Sequence, residues 1–174
     1  MASYNNPFCI GCPYINQNHL VNTQFYIQNA QPLSIQTNIN SDILIVFQSP
    51  GEFEWRNNTP LSSDSSHSAR ARIENSWRRT GHKRQEYDIT NAVQCYTGKS
   101  NSRDLKPRII PIRKCIKWLC RDIKTKKYTR IITFGIIAYQ SVDAILQANS
   151  LLIPLSQSIH PCGGLSNTLL DSLW

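Results

Sequence analysis

Residues 43–47, Ile-Leu-Ile-Val-Phe, form an unbroken apolar run that stops at Gln48-Ser49-Pro50-Gly51 and is followed by two acids, Glu52 and Glu54. A short apolar run closed by turn residues predicts a strand buried on both faces. Residues 86–95 carry a second β-like pattern, and 130–135, Arg-Ile-Ile-Thr-Phe-Gly, read as a buried strand closing on a glycine. A shorter strand runs through Leu155 toward His160. Between these lie helical periods. Ile112, Ile116, Leu119 and Ile123 recur on one face within 109–124, and 136–148 predict a further helix. The segment Ser68–Arg79 predicts an amphipathic helix bearing Arg70, Arg72, Arg78 and Arg79, and a short helix is expected within 17–29. Strands alternating with helices predict an α/β fold, a three-layer sandwich around a central, mostly parallel sheet. No internal repeat or low-complexity tract interrupts it, so residues 1–174 read as one domain with an N-terminal cysteine-bearing segment.

In sheets of this kind ligands bind at the carboxyl ends of the strands. Three polar breaks fall at such ends: Gln48 to Gly51, Asn91, and His160-Pro161. The sheet is expected to bring them to one edge, so that the first strand delivers a ligand-binding loop.

Composition changes this picture in two ways. Nineteen Lys and Arg against eleven Asp and Glu, with a pI near 9.4, favour a polyanionic partner. The start of the chain lacks a signal pattern, and no apolar run approaches a membrane span, so a cytoplasmic protein without membrane contact is expected. In a reducing compartment the six cysteines suggest metal ligation or reactivity rather than disulfides.

The ordered set Cys9/Cys12, Phe47-Gln48-Ser49-Pro50-Gly51-Glu52-Phe53-Glu54, Ile89-Thr90-Asn91, Cys95, Cys115, Gly135 and His160-Pro161-Cys162 resembles the uracil-DNA glycosylase superfamily, most closely its iron–sulfur branch, family 4. The resemblance spans nearly the whole chain. It implies a monomeric DNA N-glycosylase that flips a nucleotide and leaves an abasic site. It also implies a [4Fe–4S] cluster on Cys9, Cys12, Cys95 and Cys115, with zinc as the alternative and Cys120 as an outside candidate ligand.

Within that resemblance, Asn91 reads the base through its donor–acceptor amide and His160 stabilises the departing base. Gln48 and Ser49 hold the water. Phe47, Pro50, Gly51 and Leu61 line the substrate, and Leu165 is the wedge that fills the space of the flipped nucleotide. Glu52 and Glu54 read either as first-turn acids of a helix or as carboxylates in the chemistry. The basic run Arg70–Arg84 is either a solvated face or a phosphate contact, with Trp77 and Tyr87 as core candidates.

The chain departs from the family where Phe47 replaces a glycine, Gln48 a glutamate and Leu61 an aromatic stacker, and where Ser49 takes a position held elsewhere by Asp or Asn. These departures direct the expectation to a modified pyrimidine, including a hypermodified phage base, and to antiphage defence. The alternatives are uracil removal in DNA repair and a non-catalytic DNA- or base-binding protein on the same fold.

Overall fold

The computed structural model describes residues 7–28, 30–101 and 103–174. Four strands, β1 (Ile43–Phe47), β2 (Tyr87–Asn91), β5 (Arg130–Phe134) and β6 (Leu155–Ser158), form one sheet in the order β2-β1-β5-β6. Every pairing is parallel: Phe47 stands opposite Asn91, Ile45 opposite Ile132, and Phe134 opposite Ser158. Because β1 is central, it is covered on both faces and has no polar alternation. Leu44 and Val46 enter one core with Leu119, Ile123, Val142 and Ile145. Ile45 and Phe47 enter the other with Ile73, Trp77, Leu165 and Leu170. Helices α3 (Ile109–Ile123) and α4 (Ile136–Ala148) supply the first core, and α2 (Ala69–Thr80) and α5 (Asn167–Asp171) supply the second. The three-layer α/β arrangement expected from the sequence is the one observed.

Local chemistry sets the ends. Ser68 caps α2 by accepting the Ala71 N–H, and Gly81 closes it in the left-handed region at φ 80°. Gly135, at φ 94°, turns β5 into α4 while donating its N–H to Ser158 on β6 at 2.8 Å. Trp77 and Tyr87 stack at 4.8 Å and are core residues.

Some elements differ from the sequence pattern. No α-helix forms among the described residues of 17–29, Asn29 lying outside them; the segment is a series of turns. The Gln17 side chain closes it instead, exchanging hydrogen bonds with the N–H and C=O of Ile27 at 3.0 and 2.5 Å. β2 stops at Asn91, because two successive N–H groups, of Ala92 and Val93, both bond to the end of β1, at the carbonyls of Phe47 and Gln48, and break the alternation of a strand. The polar stretch beyond contains a small antiparallel hairpin, β3 (Lys99–Ser100) with β4 (Arg103–Asp104). The short helix α1 (Glu52–Asn57) and α5 carry too few residues for a visible period.

One buried charge fastens the N-terminal segment to the sheet. Asp88 on β2 accepts from the Asn38 N–H (2.7 Å), Tyr128 OH (2.7 Å) and Ser41 OH, and pairs with Lys126 at 3.0 Å. Burial opposes its ionisation, yet these bonds together hold its pKa below the usual carboxylate value. The stabilisation is therefore present above pH 4 or so and lost as pH falls through the depressed value. Asp88→Ala strands the Lys126 charge and the donors around it, and is expected to cost about 3 kcal/mol in urea unfolding at pH 7, with a smaller deficit at pH 3. A loss that does not change with pH would contradict an ionised Asp88.

Candidate active site and thiol cavity

At the carboxyl edge of the sheet, a cleft of about 340 Å³ opens between the turn after β1, the loop after α1 and the loop after β6. Phe47, Ser49, Gly51, Leu61 and His160 all line it. Gln48 is half-buried, with its Oε1 beside Gly135, and Pro50 is buried behind the turn. Asn91 lies next to Phe47 on the adjoining strand, only 1% exposed, and neither its Oδ1 nor its Nδ2 has a hydrogen-bond partner. A buried amide without partners costs roughly 1–3 kcal/mol, so such a group is retained where something else binds it.

His160 stands on the exposed loop after β6, its ring edge-on to Phe47 at 6.2 Å. Its Nδ1 accepts the Cys162 N–H at 3.2 Å, which leaves the proton on Nε2. The surrounding protein desolvates the ring and pushes its pKa below the usual value. A neutral imidazole with a free Nε2–H is a fixed hydrogen-bond donor. The loop that carries it is tight: a Cβ on Gly163 would lie 3.0 Å from the His160 carbonyl. Arg72 on α2 holds the far side by donating to the carbonyls of Pro161 and Leu165. The Leu165 side chain is 6% exposed and packs in the core, so the residue expected as a wedge does not project from the surface.

The sequence did not reveal what Glu54 does. It sits in the third position of α1, where one carboxylate oxygen accepts the Gly51 N–H at 2.6 Å and the other accepts the Leu61 N–H. Leu61 has φ 48°, a strained value for a branched side chain. Arg84 secures the same loop from the other side through the carbonyls of Pro60 (2.7 Å) and Leu61 (3.1 Å). Burial pushes the Glu54 pKa up to about 7, with a further rise from Asp104, against the two backbone hydrogen bonds. Its partner acid Glu52 faces Lys99 (2.9 Å) and Arg56 (3.0 Å), and the Lys99 hydrogen bond holds its pKa down. The capping-box spacing of Glu54 from Gly51 was the available sequence signal.

The four cysteines come together elsewhere. Cys9, Cys12, Cys95 and Cys115 are all buried, unpaired as disulfides, and line one cavity walled by Trp55 and Trp118. Burial raises the Cys95 thiol well above its usual pKa, with added repulsion from the other three sulfurs. Burial likewise pushes Cys115 up to about 12, against a hydrogen bond from the Gln94 N–H. Among the described residues no three His, Cys, Asp or Glu side chains gather as they would on a single metal ion. The indole N–H of Trp118 donates to the Cys9 sulfur, and that of Trp55 is buried without a partner among the described residues. Four buried thiols lining one cavity, with one unpartnered indole N–H beside them, are a donor set that fits a sulfur-rich cluster. Cys120 faces away, packing against the core under α3 and α4, and Cys162 is exposed at the cleft.

The raised Glu54 pKa gives a signed pH effect. Its favourable contribution is full below the unfolded carboxyl value near 4.5 and is lost as pH rises through about 7. The difference in Tm between the wild type and Glu54→Gln is therefore expected to fall steadily from pH 5 to pH 8. A difference that stays constant over this range would show that Glu54 is ionised throughout.

Residues 35–171, more than half of the chain, match the family described as the uracil DNA glycosylase superfamily. No curated protein matches the chain.

Proposed function

The chain belongs to the uracil DNA glycosylase superfamily, whose members are DNA N-glycosylases, and from that premise we propose that it flips a pyrimidine nucleotide out of DNA and hydrolyses the base–deoxyribose bond. The observation that carries this reading is the buried Asn91 amide, with donor and acceptor both unpartnered beside the cleft that His160 closes. A pyrimidine presents a complementary acceptor and donor on its Watson–Crick edge, so Asn91 pairs with it in two-pronged fashion. His160 Nε2–H then faces the base oxygen on which negative charge develops as the bond breaks, in the manner of an oxyanion donor. The hydroxyl of Ser49 and the amide of Gln48, on the turn after β1, position the water. Phosphate contacts from a basic chain supply affinity without base choice.

The pocket supports a modified pyrimidine, including a hypermodified phage base, over plain uracil. Where a flat ring would stack tightly on the base, Leu61 offers an aliphatic surface, and the cleft beside it is open enough to take a substituent. A role in defence against modified phage DNA follows from that choice. Cys9, Cys12, Cys95 and Cys115 would hold a [4Fe–4S] cluster, as the resemblance to the iron–sulfur branch implies. When bound, the cluster ties the N-terminal segment to α3 and to the loop after β2.

The reading is tested with duplex and single-stranded DNAs that are unmodified, uracil-containing or carry phage-type pyrimidines, followed by alkaline scission at abasic sites. Asn91→Ala and His160→Ala are each expected to slow single-turnover base release about a hundredfold or more, some 2–4 kcal/mol of barrier, while DNA affinity persists. DNA binding without scission on any of these substrates would favour the non-catalytic binder.

Protein isolated without oxygen is expected to be brown, with broad absorption near about 400 nm. Cys115→Ser should lose that colour and Cys120→Ser should keep it. Colourless protein carrying stoichiometric zinc would overturn the cluster.

A further inference from the structure

Breaking an N-glycosidic bond by water creates a cationic sugar, and a neighbouring carboxylate ordinarily stabilises it and takes the water's proton. The turn after β1 offers only neutral groups there, Gln48 and Ser49. The cleft is nevertheless lined by three carboxylates. Two of them are committed: Glu52 to Lys99 and Arg56, and Glu54 to the backbone N–H groups of Gly51 and Leu61.

Asp104 is different. It lies on β4 directly across the hairpin from Lys99, and only its Oδ1 is engaged, by the Tyr96 OH at 3.2 Å. Its Oδ2 has no hydrogen-bond partner among the described residues, and it lies 3.8 Å from where a Cβ on Gly51 would stand. The hairpin therefore lays a free carboxylate oxygen against the end of the water-holding turn.

We propose that Asp104 is a catalytic residue of the glycosylase reaction, its Oδ2 accepting the proton of the attacking water and its charge facing the sugar cation. The proposal rests on the glycosylase reading above. In the step, the bond from C1′ to the base nitrogen breaks and its electron pair leaves with the base. The water oxygen bonds to C1′, and the water's proton passes to Asp104, which returns it to solvent. The base anion, held by the His160 N–H, takes its own proton from water.

The surroundings suit this role. Burial raises the Asp104 pKa, helped by Glu52 and opposed by Lys99 and the Tyr96 hydrogen bond, which makes the group a better base than an ordinary aspartate. Across Gly51, burial pushes the Glu54 carboxyl up to about 7, so its like charge is partly relieved near neutrality, and Glu52 is the ionised carboxylate that acts on Asp104. His160, on the opposite wall, is held toward its neutral form. Arg70, which lines the same cleft, pairs with Glu74 at 2.9 Å.

The test does not depend on knowing the base. Wild type and Asp104→Asn are titrated with duplexes carrying either a cationic pyrrolidine or a neutral tetrahydrofuran in place of the abasic sugar. The wild type should prefer the cation, and Asp104→Asn should lose that preference by tenfold or more with unchanged affinity for the neutral analogue. Single-turnover base release should fall at least a hundredfold in Asp104→Asn and recover in part in Asp104→Glu. Equal preference for the cation in both proteins, or undiminished release by Asp104→Asn from a DNA the wild type cleaves, overturns the role of Asp104 alone. Silence of the wild type on every DNA overturns the glycosylase reading and Asp104 with it.

Discussion

Parallel pairing on both sides of β1 is the constraint on which the rest of the molecule depends. A central strand hydrogen-bonded to β2 and β5 and covered on both faces has no room for polar side chains along its length. Polar residues can enter only where the strand ends, and parallel strands all end on the same edge. Gln48-Ser49, Asn91 and the His160 loop therefore share one rim although 112 positions separate Gln48 from His160 in the numbering.

The rim is held in shape by charges spent on backbone. Glu54 and Arg84 grip the Leu61 loop from opposite sides, and Arg72 laces the loop after β6 to α2. Arg79 ties α2 to α5 through Asp171 at 2.6 Å. The basic run Arg70–Arg84, which read equally well as a phosphate-binding face, thus gives several of its cations to structure. Arg103, Lys106, Arg113 and Lys127 carry no ion pair or hydrogen bond through their side chains among the described residues. Two of these, Arg103 and Lys106, lie on or just after the hairpin that presents Asp104, where their charge is free to attract a polyanion.

The thiol cavity lies on the other side of the turn after β1. Trp55, on α1, walls the cavity, while Glu54, its neighbour in sequence, lines the cleft. α1 thus separates the two sites and is a boundary of both. A change in the cavity that moves Trp55 has a short path to the Gly51 and Leu61 N–H groups, because six residues of helix have little freedom to bend.

The sequence by itself determined the layers, the buried strands and the principal helices, since hydrophobic period and turn chemistry are local and survive without a partner. Motif order pointed to Cys9, Cys12, Cys95 and Cys115 but left Cys120 open; the structure gathers those four around one cavity and packs Cys120 against the core. Only the tertiary structure decided the fate of Leu165, which the core claims, and of Arg72 and Arg84, which find carbonyls more than twenty residues away. It alone brought Asp104 to the rim, from a two-residue strand too short to leave a pattern. Whether a charged group is spent on structure or left free for chemistry depends on which donors and acceptors the fold places around it. That is a property of non-local distance and burial, on which residue order is silent.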